Sequence, residues 1–359
     1  MGNKRILITG GCGFIGSHLA VDLTRQGFEV TALDNLSRRG SEILLQKRIK
    51  PCGAGFVRGD VRIPDDLRKV PGDYDLLIEC SAEPSVLMGT KGEDARYLLD
   101  VNLQGAINCF EWARERRTPV IFLSTSRVYP YDKINACRYE ETETRYELLE
   151  GCPGVCPNGV SAEMPLQGVR SLYGASKLSA ELILREYAFQ YKLPAIIDRC
   201  GVIAGPWQLG KSDQGVFAFW MAKHYFREPL NYIGFGGTGK QVRDLLHIQD
   251  LADLIGKQAR VLMNGKAPFY GEVFNAGGSS FSSLSLLEAT KLCAQLTGNA
   301  VDVGSLPECR PADMIWYLTN NGRTCEVFDW KPRRPAEEIL EDVHRWLKGN
   351  EAEAKKIFL

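Results

Sequence analysis

The chain alternates short apolar runs with longer stretches of helical spacing. Arg5-Ile-Leu-Ile-Thr9 is the first such run, closed by a glycine cluster, as expected of a strand buried on both faces. Residues 14–26 follow with apolar positions at helical spacing, and Gly27 stands where a helix would stop. Further strands are predicted at 29–34, 55–57, 74–78, 120–124 and 195–198, with helices at 95–116 and 178–191. Repeated strand–helix units imply an α/β fold built on a parallel, doubly wound sheet with right-handed crossovers. From about Lys211 the rhythm changes, and Gly234-Phe-Gly-Gly-Thr-Gly239 and Asn275-Ala-Gly-Gly278 read as glycine-rich loops between short elements. The expected organisation is a sheet domain over 1–200, carrying a long polar insertion at 131–170. A smaller C-terminal α/β lobe over 201–359 follows, with some segments returning to the sheet.

Composition narrows the classes without naming an activity. The 359 residues carry 44 Lys+Arg against 44 Asp+Glu, so nothing points to nucleic acid or an anionic membrane as the main partner. No apolar run reaches the roughly 18 residues of a membrane span. Lys4-Arg5 leads straight into a strand rather than a signal peptide, so a cytoplasmic protein is expected. The eleven cysteines are scattered, which suits reduced thiols in a reducing compartment. Cys152 and Cys156, with Cys137 upstream, form the one suggestive group. A zinc site wants four ligands, and no second pair or nearby histidine completes one, so no metal is expected.

Thr9-Gly10-Gly11-Cys12-Gly13-Phe14-Ile15-Gly16 carries chemistry. Glycines at 10, 13 and 16 follow a strand and open a helix, and Asp34 ends the second strand eighteen residues later. This context fits the dinucleotide-binding fingerprint of a Rossmann domain. Gly10 makes the tight turn, Gly13 lets backbone amides approach a pyrophosphate, and Gly16 permits close helix–strand packing. Asp34 suits a ribose diol and would repel a 2′-phosphate, which favours NAD; Arg38 and Arg39 are the features that would admit NADP. Asp60-Val61 and Cys80-Ser81-Ala82-Glu83 fall at later strand ends, where ligands sit in such sheets. The residues expected at the cofactor are therefore Gly10, Gly13, Phe14, Ile15, Gly16, Asp34, Asn35, Asp60, Val61, Ser81 and Ala82.

Tyr173-Gly-Ala-Ser-Lys177 places a phenol and an ammonium one turn apart on a helix face. Free tyrosine titrates near 10, so a base at neutral pH needs a fall of about three units, roughly 4 kcal/mol. An adjacent ammonium supplies part of that by stabilising the phenolate. Ser124-Thr125-Ser126 ends a strand upstream and offers hydroxyls to the same oxygen.

With these motifs in this order, and a late Arg310-Pro-Ala-Asp313, the whole chain resembles an extended short-chain dehydrogenase/reductase of the nucleotide-sugar epimerase and dehydratase family. The resemblance implies Tyr173 as base, Lys177 as its partner and ribose ligand, and Thr125 as the hydroxyl that orients the substrate. Dehydratases of the family carry Asp-Glu after that threonine, whereas this chain has Ser126-Arg127, which leaves epimerisation by transient oxidation. Tyr139-Glu-Glu-Thr-Glu-Thr-Arg-Tyr146, Asp213-Gln-Gly215 and Gly239-Lys-Gln-Val-Arg-Asp-Leu-Leu-His247 resemble the CDP-paratose 2-epimerase (CDP-tyvelose epimerase) branch. That branch implies a CDP-sugar oxidised at C2, with another carbon such as C4, or a UDP- or GDP-sugar, as the alternative. A non-catalytic NAD sensor is a third reading, at odds with the retained Tyr173 and Lys177. The substrate contacts implied are Ser126, Arg127, Asp213, Gln214, Gln241, Arg243 and Arg310. His247 is read as packing in a polar loop. Relatives commonly pair through the 95–116 and 178–191 helices, implying a homodimer or larger homo-oligomer, although Leu99, Leu103, Ile107 and Phe110 would serve equally as core.

Overall fold

The computed structural model describes residues 4–90, 94–210, 214–265 and 269–359. Seven parallel strands form the central sheet. Its first five are β1 (Arg5–Thr9), β2 (Glu29–Asp34), β3 (Gly55–Arg58), β4 (Leu76–Glu79) and β5 (Val120–Thr125), joined by strands Ala195–Cys200 and Tyr270–Ala276. The spatial order is Tyr270–Ala276, Ala195–Cys200, β5, β4, β1, β2, β3. Strand order reverses between β1 and β4, so their carboxyl ends part and leave the crevice such sheets use for ligands. Ile6, Ile8, Ile78 and Ile196 face one apolar layer, shared with α1 (Phe14–Arg25) and helix Ile248–Met263. Leu7, Leu77, Phe122 and Ile197 face the opposite layer, shared with helices Gly105–Arg116 and Leu172–Tyr191. The continuous apolar runs read from the sequence thus reflect burial on both faces.

The 95–116 stretch is not one regular helix. Ala95–Leu99 and Gly105–Arg116 are α-helical, with a wider turn at Asp100–Gln104 between them. Phe110 is core, edge-on to Phe122 at 5.3 Å between ring centroids. The 178–191 helix begins earlier, at Leu172, because Ser171 accepts the Gly174 amide at 3.1 Å and caps it. That extension brings Tyr173 and Lys177 into the first two turns.

The insertion folds on itself. Strands Arg138–Glu141 and Tyr146–Glu150 form one hairpin, and Val155–Cys156 pairs with Gly159–Val160 in a smaller one. Cys152 meets Cys137 rather than Cys156: both thiols donate to the Lys133 carbonyl, at 3.9 and 3.6 Å. Among the described residues the cysteines are free thiols, and no His/Cys/Asp/Glu group is arranged to hold a metal. No described helix is long and apolar enough to cross a membrane.

The smaller lobe centres on strand Val242–His247, flanked by Val202–Ala204, Ser283–Ser285 and Trp316–Tyr317. Helices Val216–Phe226, Leu286–Thr297 and Ala336–Gly349 close its own apolar cluster. His247 caps helix Ile248–Met263 by accepting the Gln249 amide at 3.0 Å.

Asp198 is an acid inside the sheet. It is fully buried, its Oδ1 accepts Gln258 Nε2 at 2.8 Å, and its Oδ2 has no partner. Burial pushes its carboxyl up to about 7. An unfolded aspartate titrates near 4, so the stability from the neutral acid is complete below that pH and is lost as pH rises through about 7. Asp198→Asn should therefore gain on the wild type by about 3 kcal/mol between about pH 5 and pH 8. Urea unfolding at the two pH values measures it, and a pH-independent difference would refute the buried acid.

Candidate active site

A cavity of about 540 Å3 runs along the carboxyl edge of the sheet. Gly10, with φ +63°, turns the chain where a Cβ would lie 2.9 Å from the Ser81 backbone. At Gly16 a Cβ would come within 2.3 Å of the Gly10 carbonyl oxygen, so only glycine lets α1 sit this close to β1. A Cβ at Gly13 would meet only that same carbonyl, at 3.1 Å, which leaves open space over the loop. Gly13 supplies no side-chain cap to α1, and Phe14 and Ile15 of its first turn line the cavity. Uncapped helix amides facing a glycine cradle are the donors a pyrophosphate needs. The residues present therefore fit a dinucleotide.

Asp34 lies at the end of β2. Its Oδ2 accepts the Cys12 amide at 2.9 Å and its Oδ1 the Leu36 amide at 2.8 Å, while burial raises its carboxyl above the usual range. Asn35 donates to Asp60 Oδ2 at 2.9 Å, and Arg62 pairs with Asp60 at 2.6 Å; the Arg62 bonds hold that carboxyl down at about 2. Val61, Ser81 and Ala82 also line the cavity. Arg38 and Arg39 stand at its rim but are engaged, Arg38 with the Gln214 side chain and Arg39 with the Lys356 carbonyl. Gln214 also donates to Glu83 Oε1 at 3.2 Å, tying the β4 end to the smaller lobe.

Thr125, Ser126, Arg127, Tyr173 and Lys177 line the same cavity. Burial pushes the Tyr173 phenol up to about 12, against a hydrogen bond from Thr125 and the nearby Arg127 guanidinium. A base at neutral pH thus needs a fall of about five units, roughly 7 kcal/mol, more than a free tyrosine would. Lys177 is 2% exposed, its Nζ 4.0 Å from the centroid of the Phe122 ring. Burial lowers its affinity for a proton, with Glu79 the largest opposing influence.

The substrate contacts inferred from sequence divide. Ser126, Arg127 and Gln214 line the cavity; Gln241, Arg243 and Arg310 are outside its lining, and Asp213 lies outside the described residues. Gln241 donates to the Ile233 carbonyl at 3.1 Å. Arg243 donates to Asp313 Oδ1 at 2.9 Å and to the Met314 carbonyl at 2.6 Å, and Arg127 donates to the Ala312 carbonyl at 3.0 Å. Both arginines therefore grip the 312–314 turn. Sequence reasoning missed Glu79 and the Glu181–Arg199 pair, whose signal is a charged residue inside or ending an otherwise apolar strand or helix face.

Residues 6–277 match the profile of the NAD dependent epimerase/dehydratase family. The CDP-paratose 2-epimerase of Salmonella typhi is 30% identical, over 95% of this chain and 98% of its own. A UDP-glucose 4-epimerase of Neisseria meningitidis serogroup A is 26% identical, over 97% and 98% respectively. The crystal structure of UDP-glucuronic acid 4-epimerase from Bacillus cereus, in complex with UDP-glucuronic acid and NAD, superposes with a TM-score of 0.78 at 22% identity, covering 96% of this chain and 99% of that one. With the glycine cradle, Asp34 and the Tyr173–Lys177 pair opening on one cavity, the chain belongs to the NAD-dependent epimerase/dehydratase family, an enzyme whose cofactor is NAD.

Proposed function

We propose that the protein epimerises a nucleoside-diphosphate sugar, CDP-linked and at C2 of the sugar. One observation carries this reading: Thr125, Tyr173 and Lys177 share a cavity in which the next two positions, Ser126 and Arg127, bear no carboxylate. Eliminating water would need an added acid and base there, whereas oxidation and re-reduction at one carbon need only the phenol, the ammonium and a hydride carrier. The choice of C2 and CDP is supported by the 30% identity to a CDP-paratose 2-epimerase, against 26% to a UDP-glucose 4-epimerase.

Bound along the glycine cradle and Asp34, NAD supplies hydride acceptance and return. Tyr173, as phenolate, takes the proton of the C2 hydroxyl as the C2 hydride leaves, and Thr125 hydrogen-bonds the same oxygen. Lys177 stabilises the phenolate by its charge. Once the keto-sugar presents its other face, Tyr173 returns the proton to the carbonyl oxygen and the hydride completes the inverted centre. Ser126, Arg127 and Gln214 are the proposed sugar and diphosphate contacts, with Arg243 steadying Arg127 through the shared 312–314 turn. Leu182 and Phe189, 52% and 65% exposed on helix Leu172–Tyr191, give a homodimer an apolar face.

A CDP-sugar deuterated at C2 should yield an epimer that keeps its label at C2, read by NMR. Loss of label to solvent, or inversion at C4 in a panel of CDP-, UDP- and GDP-sugars, would overturn the C2 reading.

A further inference from the structure

Lys177 poses a physical problem. Its side chain is almost sealed from solvent, and burial drives a lysine toward the neutral amine, yet stabilising a phenolate requires the cation. Several groups surround it: Glu79 at the end of β4 and Cys80 just after it, Glu181 from its own helix, and Cys200 at the end of strand Ala195–Cys200. The two thiols are held protonated by burial. The charge of Glu181 is already matched by Arg199, at 2.7 Å. Glu79 is the carboxyl group among these with no cationic hydrogen-bond partner; burial pushes it up, and the Lys177 charge is the largest influence holding it down.

Its placement is specific. Glu79 ends β4 with no exposed surface and is the register partner of Phe122 on β5. Partners on parallel strands project to the same face, and the Lys177 Nζ stands over that Phe122 ring. Glu79 Oε1 accepts the Ser81 amide at 3.1 Å and the Thr9 hydroxyl at 3.4 Å, while Oε2 has no hydrogen-bond partner. Cys109, from helix Gly105–Arg116, packs on the same side and is likewise kept protonated by burial. The arrangement puts a fully buried carboxyl group and a nearly buried lysine on the same side of the sheet, with the cavity-lining Ser81 anchored to the carboxyl.

We propose that Glu79 is a positioning residue for the reaction: its carboxylate is the buried counter-ion that keeps Lys177, at the cavity lining, an ammonium. This rests on the reading of Tyr173 and Lys177 as the proton-transfer pair. Its test, however, reads the charge of Lys177 and needs neither substrate nor turnover. Acetic anhydride acylates a neutral amine: the nitrogen lone pair forms the amide bond as the C–O bond to acetate breaks, and the amine proton passes to solvent. Acetylation of Lys177 against pH, followed by peptide mass spectrometry with and without added NAD, therefore tracks the neutral fraction.

In the wild type, labelling of Lys177 should still be rising above about pH 9, as for an ordinary lysine. Glu79→Gln should label about tenfold faster at about pH 8, equivalent to a fall of about one unit, while Glu79→Asp stays within about threefold of wild type. The alkaline limb of the kcat–pH profile should move to lower pH in Glu79→Gln alone. Wild-type labelling that levels off below about pH 8 would overturn the proposal, even if the Gln variant failed to fold. So would a Gln variant of unchanged thermal midpoint that labels like wild type. Turnover retained in Tyr173→Phe with these labelling shifts intact would instead refute the proton-transfer reading.

Discussion

Tyr173→Phe should lower kcat by about three orders of magnitude while the protein keeps its NAD. Loss of a positioned general base costs about 10²- to 10⁴-fold, and three orders of magnitude is the middle of that range. The substitution removes one oxygen from a ring at 9% exposure, in a helix whose start is fixed by the Ser171 cap. The glycine loop, Asp34 and Lys177 are untouched, so cofactor content should match wild type when NAD is released by denaturation and quantified by its absorbance. The sign with pH follows from the chemistry. Burial holds the phenol at about 12 and the base acts only once deprotonated, so activity must rise with pH through whatever lower value bound substrate and cofactor give it. That rise should vanish in the Phe variant's residual activity. A Phe variant within tenfold of wild type would remove Tyr173 from the reaction.

The features legible in the sequence are those encoded locally. Glycines at 10, 13 and 16 announce a turn, a cradle and a close contact, and the geometry at Gly10 and Gly16 leaves no room for another residue. The four-residue Tyr173–Lys177 spacing needs only a helix to become a site. Arg243 is different. Its long polar segment marks it as special, but the sequence cannot say whether its guanidinium meets a ligand or the 312–314 turn, because that depends on two segments seventy residues apart. Helix Leu172–Tyr191 starts before the predicted 178 for a similar reason: Ser171 and Gly174 interrupt the apolar rhythm, yet the cap they form begins the helix there. Buried charges were the least visible. Glu79 follows Leu76-Leu77-Ile78, just past the predicted 74–78 strand, and nothing in its neighbours marks it as buried, whereas β1, β4 and β5 enclose it.

The same is true of Glu181 and Arg199, where the second large effect is expected. Their side chains are 1% and 4% exposed and meet through Nη2–Oε2 at 2.7 Å and Nε–Oε2 at 3.1 Å. Ser124 donates to Glu181, and Tyr129, beneath the Arg199 guanidinium, donates onward to Asn275 Oδ1 at 2.6 Å. Arginine cannot shed its proton here, so Glu181→Gln strands a buried cation and should cost about 3–5 kcal/mol. That corresponds to a fall of roughly 5–10 °C in Tm, measured by calorimetry. The double variant Glu181→Leu/Arg199→Met removes both charges together and should recover most of the loss, since desolvating the pair offsets much of its attraction. Activity should not recover with it. Ser124 immediately precedes Thr125, and without Glu181 the β5 end loses the bond that fixes its direction into the cavity. A double variant with restored Tm and lowered kcat would assign the pair to orienting the site. If the single Gln variant instead kept wild-type stability, the charge network would have no hold on the strand end.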